Sequence, residues 1–308
     1  MPFVFRQIKL MAANHPIEYK VFYLESRSSI SYLLAARKRL RALIKDFQAD
    51  VVHAHYGSVN GLFAALSTTK PLVITYHGSD LNKTPSDGIL SDFMARAFSN
   101  ITALYAARII VVSEKLRNRL WWKKNKAEVI PMGTDTAEFF PMAKQEAIKG
   151  LPNTYQFPYP TIVFNANNPK IKRLDLAEKA IELLKAEYPQ AHLFKMSGDV
   201  PAEKIPLVLN ASDALLLCSD KEGSPTIIKE AMACNLPIVS TDVGDVKDRI
   251  SGVYEASIVV QNEKGICRGL SKILKLEKQK YNGREVLLAK KLDEASLQDK
   301  VFKIYKDC

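Results

Sequence analysis

The chain has 308 residues, 47% of them hydrophobic and 25% charged, and carries 44 Lys+Arg against 33 Asp+Glu for a formal charge of +11. That composition is of the globular kind, with length for two domain-sized cores. No apolar run approaches the roughly 18 residues a membrane span needs, and neither a signal-peptide core nor its cleavage site opens the chain, so a cytoplasmic location is expected.

The charge is uneven. Residues 1–150 hold 21 Lys+Arg and 12 Asp+Glu, or +9, and the remainder 44−21=23 against 33−12=21, or +2. A basic first half points to an anionic partner such as lipid headgroups or phosphates, with a solvated basic face as the alternative reading. Cys218, Cys234, Cys267 and Cys308 form no CxxC pair and have no histidine at zinc-finger spacing, which makes them free thiols.

Short β-branched runs alternate with helical patterns along almost the whole chain, the arrangement of parallel sheets built from βα units. In the first half, strands are expected at Lys20–Leu24, Asp50–His53, Leu72–Tyr76, Arg108–Val112 and Glu128–Pro131. Residues Ile30 to Phe47 read as a helix. Its apolar side, with Leu33, Leu34 and Leu40, is expected to pack on the sheet, and Arg37, Lys38, Arg39, Arg41 and Lys45 lie largely on the other side. Between residues 141 and 160, Pro141, Gly150, Pro152, Pro158 and Pro160 interrupt a polar stretch and mark a domain break. The second half repeats the pattern with strands at Thr161–Phe164, Ala191–Met196, Ala214–Cys218, Pro237–Thr241 and Ser257–Val260. Between the first two lies a helix, Leu174–Ala186, whose Ala177, Ala180, Ile181 and Leu184 share a face. The expected organisation is an α/β protein with Rossmann-like domains at 1–150 and 151–291. A last helix, 292–308, could pack back on the first domain.

Absent motifs narrow the chemistry. None of the thirteen glycines makes a GxG pair, so the dinucleotide fingerprint is missing. The chain also lacks GxxxxGK[ST], HExxH and GxSxG, and has no Asp-x-Asp pair to hold a metal against a diphosphate. Any bound nucleotide must be neutralised by the protein's own groups.

The most informative stretch is Asp213–Gly244. A strand ends at Cys218, a loop carries Glu222 and Gly223, and Ser224-Pro225 reads as an N-cap followed by the first helical residue. The amides of Thr226 and Ile227, at the positive end of the helix dipole, would then form a phosphate site, with Glu230 one and a half turns further on. The segment Glu222-Gly-Ser-Pro-Thr-Ile-Ile-Lys-Glu230-Ala-Met-Ala resembles the E-x7-E signature of family 4 retaining glycosyltransferases. Asp50-Val-Val-His-Ala-His-Tyr-Gly57, Thr75-Tyr-His-Gly-Ser-Asp80, Val129-Ile-Pro-Met-Gly-Thr-Asp135 and Met196-Ser-Gly-Asp199 match in order.

The resemblance covers nearly the whole chain and implies the GT-B architecture, two Rossmann-like domains facing across a cleft. It implies sugar transfer from a nucleotide-sugar donor with retention of configuration and without metal or cofactor. Glu230 would bind the donor ribose and Glu222 would lie beside the donor sugar. Gly223, Ser224, Thr226 and Ile227 would hold sugar and diphosphate, and Gly198 would let the nucleoside approach the backbone. Lys172 matches the family lysine that neutralises the departing diphosphate. Asn167 stands where the family has arginine, and Arg173 supplies the second cation.

In the first domain, His77 at the end of a strand would face the reacting carbon of the donor, while His53 and His55 read as local structure. The acceptor would be a glycan or a lipid-linked molecule, in cell-surface polysaccharide or glycolipid synthesis, and nucleic acid is not among the expected partners. The basic helix together with Trp121, Trp122, Lys123, Lys124 and Lys126 is a candidate contact for anionic lipid, which would make the protein peripheral at the cytoplasmic face. Pro2–Ala13 resembles the family's first helix, so the first strand and its glycine-rich loop are expected to be missing. A nucleotide-sugar-binding protein of little activity and a GT-B-like epimerase or phosphorylase are the alternative readings.

Overall fold

A computed structural model describes residues 2–27, 29–78, 80–81 and 89–308. The chain divides into two compact units, Met1–Met132 with Ala295–Cys308, and Gly133–Glu294.

The first unit is built on a four-stranded parallel sheet of β1 (Val52–His55), β2 (Leu72–Tyr76), β3 (Arg108–Val111) and β4 (Ala127–Val129), in that order. Because side chains alternate across a strand, the sheet presents two apolar faces. Ala54, Ile74, Ile109 and Ala127 stand in register along one face and join a core with Ala64 and Ala103 of the helices Val59–Ser67 and Ile89–Tyr105. Val73 and Ile110 point to the other face. There they meet Met11 of the helix Pro2–Asn14 and Leu297, Val301 and Ile304 of the helix Glu294–Lys306. Arg108 Nη2 donates to the carbonyl of Asp307 at 2.9 Å, fastening the end of the chain to the same unit.

Two expectations are corrected in this unit. Lys20–Leu24 alternates as a strand would, yet it pairs with no strand among the described residues, and its odd positions are exposed rather than turned to a core. The helix Ile30–Asp46 packs on the helix Val59–Ser67 rather than on the sheet. It buries Ala36 and Leu40 and leaves Leu34 exposed. Small residues and one leucine suffice for helix-on-helix contact, whereas a sheet would have covered the whole apolar stripe. Among the described residues no strand precedes β1, which therefore forms one edge of its sheet.

The second unit carries a five-stranded parallel sheet, β5 (Thr161–Asn165), β6 (His192–Met196), β7 (Ala214–Leu217), β8 (Ile238–Thr241) and β9 (Ala256–Val259), ordered β6-β5-β7-β8-β9. Ile162, Phe164 and Leu216 pack under the helices Leu174–Leu184 and Glu263–Ile273. Val163, Leu215 and Ile238 pack on the opposite side with Ile228 and Met232 of the helix Thr226–Ala233. Residues 133–150, expected in the first domain, lie in this unit. Phe139 and Ala147 are part of its core, and Arg284 donates to the carbonyls of Thr136 and Phe139 at 2.8 and 2.7 Å. Gly133 is pressed against the backbone of Glu294, where a Cβ would stand 2.4 Å from its Cα, and Thr134 bridges Asp293.

Ile304 is 1% exposed in the terminal helix of the first unit. Ile304→Ala should destabilise that unit by about 2–5 kcal/mol, read as a lower denaturant midpoint with unchanged slope.

Candidate functional site

In the second unit the chain runs from β5 to β6 on one side and then returns to β7 on the other. The loops after β5 and β7 therefore diverge at the carboxyl edge and leave a crevice, the place where open parallel sheets bind ligands. Residues of both loops meet there. After β5, the turn Pro169–Lys172 is bounded by two left-handed residues, Asn168 and Arg173, each at φ 61°. It presents Lys172, whose Nζ donates to Glu222 Oε1 at 2.5 Å. After β7, Ser219 Oγ donates to the same carboxylate oxygen at 2.8 Å. The Lys172 and Glu222 side chains are 17% and 14% exposed, so the pair is largely desolvated, and removing either partner strands a charge.

The helix beyond Glu222 starts one residue later than the sequence pattern indicated. Pro225 is the N-cap, in extended conformation at φ −66° and ψ 121°, and the helix is Thr226–Ala233. Ser224 is thus outside the helix. Its hydroxyl accepts from Lys229 Nζ at 3.2 Å, a contact that draws the side chain back along the helix instead of capping the first turn. The backbone N–H groups of the first helical turn have no partner within the helix and point out of its amino end. Ile227 contributes only backbone there, since its side chain is in the core. Glu230 is half-buried on the same helix.

Lys229 was not singled out in the sequence. It is fully buried, and burial lowers its ammonium to about 8, against the attraction of Asp245. A lysine inside an apolar helix face between two glutamates was the available signal, because so costly a burial needs a purpose. Gly244, the last residue of the stretch Asp213–Gly244, carries no role in the sequence reading. It has φ +57°, and a Cβ would stand 2.9 Å from the Gly223 carbonyl and 3.1 Å from Glu222 Cβ, so it sets the height of the loop that carries Glu222.

Gly198 and Asn167 also converge. Gly198 follows β6 with φ +91°, and its Cβ position lies 3.0 Å from Asn167 Oδ1. Arg173 is turned elsewhere. Its guanidinium binds both carboxylate oxygens of Asp175, at 2.9 and 3.0 Å, and Asp220 Oδ1 at 3.2 Å, and these partners hold it firmly charged. Lys172 therefore lies in the crevice with one partner, while Arg173 is spread over two at its rim. A separate cavity of about 380 Å³, lined by Lys144, Tyr159, Asp213 and Tyr281 among others, opens at the amino ends of the strands, away from these groups.

In the first unit His77 directly follows β2. Its backbone N–H and that of Gly57, which follows β1, both donate to Asp80 Oδ2, at 3.3 and 3.1 Å, and Gly78 N–H donates to Oδ1 at 2.9 Å. Asp80 so ties the two strand-end loops together. Burial pushes its carboxyl up while these amides draw it down. Ser79, inside the quoted segment, lies outside the described residues.

His55, read from sequence as structural, has Nδ1 at 3.0 Å from His77 Nε2. His53 Nδ1 meets the Tyr305 hydroxyl at 2.5 Å and its Nε2 meets Thr75 Oγ1 at 2.7 Å. Burial lowers His55 to about 4 and His77 to about 3, and it drives His53 down as well. All three rings are therefore neutral at physiological pH, and the His55–His77 bond ties the tautomer of one ring to that of the other. Among the described residues no cluster of His, Cys, Asp and Glu is arranged to hold a metal ion.

With this geometry in place, residues 5–138 match the family model described as Glycosyltransferase Family 4, and residues 174–286 match Glycosyl transferases group 1. Both matches are to glycosyltransferase families, and the chain has the GT-B fold. Among solved structures, sucrose-phosphate synthase from Thermosynechococcus elongatus superposes with a TM-score of 0.73 at 18% identity, over 94% of this chain and 81% of that one. Anabaena HepE in complex with UDP-glucose superposes at 0.69 and 14% identity, over 97% and 89%. TuaC of Bacillus subtilis, a protein named for teichuronic acid biosynthesis, is 29% identical over 261 residues. That match takes in 74% of this chain and 63% of the relative, so the chain spans less than two thirds of the length of TuaC. Glycosyltransferase family models thus match parts of both units, and the segment from Glu222 to Glu230 falls within the second matched region.

Two measurements follow. An unfolded histidine takes a proton near pH 6.5, and the folded rings stay neutral to about pH 4, so the unfolded chain binds more protons in that window. Stability should be full above pH 6.5 and fall on acidification, by about 1.4 kcal/mol per pH unit for each buried ring; denaturant titrations should show a shallower fall in His55→Gln. Gly252, at φ +88° with nothing within 4 Å, is a control for Gly244. Gly244→Ala should cost on the order of 1 kcal/mol or more beyond Gly252→Ala by denaturant midpoint, because only the former collides with backbone.

Proposed function

We propose that the protein is a retaining, metal-independent glycosyltransferase that moves a sugar from a nucleotide-sugar donor to a glycan or lipid-linked acceptor in polysaccharide or glycolipid synthesis. The observation that carries this reading is the meeting of Lys172, Glu222 and the amino end of the helix Thr226–Ala233 at the crevice between β5 and β7. The family match and the name of the teichuronic acid relative support it, as does UDP-glucose bound to a protein of the same fold.

In this reading the diphosphate lies against the helix amides of Thr226 and Ile227, with Gly223 and Ser224 beside it, and Lys172 supplies the cation. The ribose is held by Glu230, and Gly198 and Asn167 flank the nucleoside. The acceptor hydroxyl attacks the anomeric carbon from the face the leaving group occupies. The bond from that carbon to the diphosphate oxygen breaks, the electron pair stays with the phosphate, and the hydroxyl proton passes to it. Lys172 and the amides stabilise the charge that develops. Glu222, which Lys172 and Ser219 already orient, accepts hydroxyls of the transferred sugar. Arg173 acts by exchanging Asp220 for a phosphate oxygen, and its role is the weaker of the two cations because that hydrogen bond must be broken while two others keep it paired with Asp175. His77, kept neutral, donates or accepts a hydrogen bond at the reacting sugar without placing a charge beside it.

Calorimetry and nucleoside diphosphate release against UDP-, GDP- and ADP-sugars test the reading. Lys172→Ala should lower turnover by about 10²-fold or more with little change in donor affinity, and chelators should leave the rate unchanged. The product should keep the donor's anomeric configuration by NMR. Unchanged turnover in Lys172→Ala, or inversion, would remove the proposal.

A further inference from the structure

The helix Ile89–Tyr105 is inside out. Its inward side buries Ser99, Asn100 and Thr102 beside Ala103, each 0% exposed, whereas its outward stripe carries Phe93, Met94, Phe98, Ile101, Leu104 and Tyr105. A helix that faced only water would show the reverse pattern. Phe93 is 54% and Tyr105 56% exposed, so the stripe runs over three turns of the helix.

A tryptophan loop is fastened alongside it. The backbone N–H of Trp121 donates to Asn100 Oδ1 at 2.6 Å, and Lys123 Nζ caps the helix end by donating to the carbonyls of Leu104 and Ala106 at 2.8 and 2.9 Å. These bonds hold the Trp121 ring 6.1 Å from Phe93 and 5.6 Å from Trp122, with both indoles about 40% exposed. The buried polar side of the helix thus has a purpose, since Asn100 anchors the loop that extends the apolar stripe.

Cations border this surface. Between residues 114 and 126, Lys115, Arg117, Arg119, Lys123, Lys124 and Lys126 stand against the one carboxylate, Glu114, which pairs with Arg117. Exposed indoles beside lysines and an apolar helical stripe match the interfacial zone of a bilayer, where rings lie at the headgroup level and cations meet anionic lipid. A second copy of this chain is disfavoured, because a two-fold contact would set two cationic rims against each other. The basic helix Ile30–Asp46 is the poorer candidate. Arg39 already lies over the Phe22 and Tyr32 rings and Arg41 donates to the Ser67 carbonyl, so two of its cations are engaged within the protein.

We propose that the outward face of the helix Ile89–Tyr105, with Trp121 and Trp122, docks on a bilayer surface containing anionic lipid. The proposal does not rest on sugar transfer; it keeps the tryptophan loop of the sequence reading and replaces the basic helix with an apolar one.

The chain has only these two tryptophans, so its indole emission reports on this face alone. The full chain is mixed with phosphatidylcholine vesicles with and without phosphatidylglycerol. Expected is a blue shift, with quenching by brominated acyl chains, on the anionic vesicles and its loss in high salt. Phe98→Gln with Ile101→Gln, exposed positions that leave both indoles in place, should weaken flotation with the vesicles by about tenfold or more. Lys124→Glu and Lys126→Glu should each weaken it by about fivefold or more. Lys172→Ala should bind vesicles as the parent does, which separates this test from that of the proposed transfer.

Absence of binding overturns the proposal. So does binding with unchanged indole emission, which would place the contact on another face, or binding that the Phe98/Ile101 variant retains. A blue shift that appears with protein concentration alone, together with a dimer in sedimentation, would make the occupant a second copy and overturn it as well.

Discussion

The pairing of β5 with β6 on one edge and β7 on the other is the constraint on which the candidate site depends. In a parallel sheet every strand ends on the same side, so the loops that leave β5, β6 and β7 all open at one edge. Where the direction of winding reverses, neighbouring loops part instead of covering each other. Lys172 comes from one side of that gap and Glu222 from the other, fifty positions apart in the chain, and they meet only because the strands do.

Electrostatics then decides what the gap accommodates. Lys172 and Glu222 are mostly withdrawn from water, and a desolvated pair is held by geometry more than it adds to stability. Lys229 adds a second cation below the same loop, fully buried with its ammonium lowered to about 8. Gly244 supports this loop from the turn that follows β8, at a distance no side chain would permit. The result is a carboxylate whose position is determined from three directions, by Lys172, by Ser219 and by the backbone beneath it.

The first unit uses the same sheet geometry for a different end. Asp80 gathers the amides that follow β1 and β2, and the imidazoles of His53, His55 and His77 lie along those strand ends in neutral form. The helix Glu294–Lys306 belongs to this arrangement, since Tyr305 bonds to His53. The helix Ile89–Tyr105 of this unit turns an apolar stripe outward, beside two indoles.

Much of this was legible from residue order, and for identifiable reasons. Runs of four or five mostly apolar, β-branched residues between turn signals read as strands buried on both faces, so Leu72–Tyr76 and the five strands of the second sheet were visible within a residue or two. Spacing also exposed the glutamates at 222 and 230 and the helix between them, because proline and glycine punctuate the chain there. Lys20–Leu24 was misread because alternation is a property of the segment, while a strand is a property of its neighbours. Residue order likewise could not show that His55 bonds to His77, that Arg173 is taken by Asp175 and Asp220, or that the helix Ile89–Tyr105 faces its polar residues inward. Local sequence determined which segments are helix and strand and which residue types stand at strand ends, since those follow from periodicity and backbone preference. Only the tertiary structure decided which side chains meet and which face water, because contact and desolvation depend on segments that are distant in the chain.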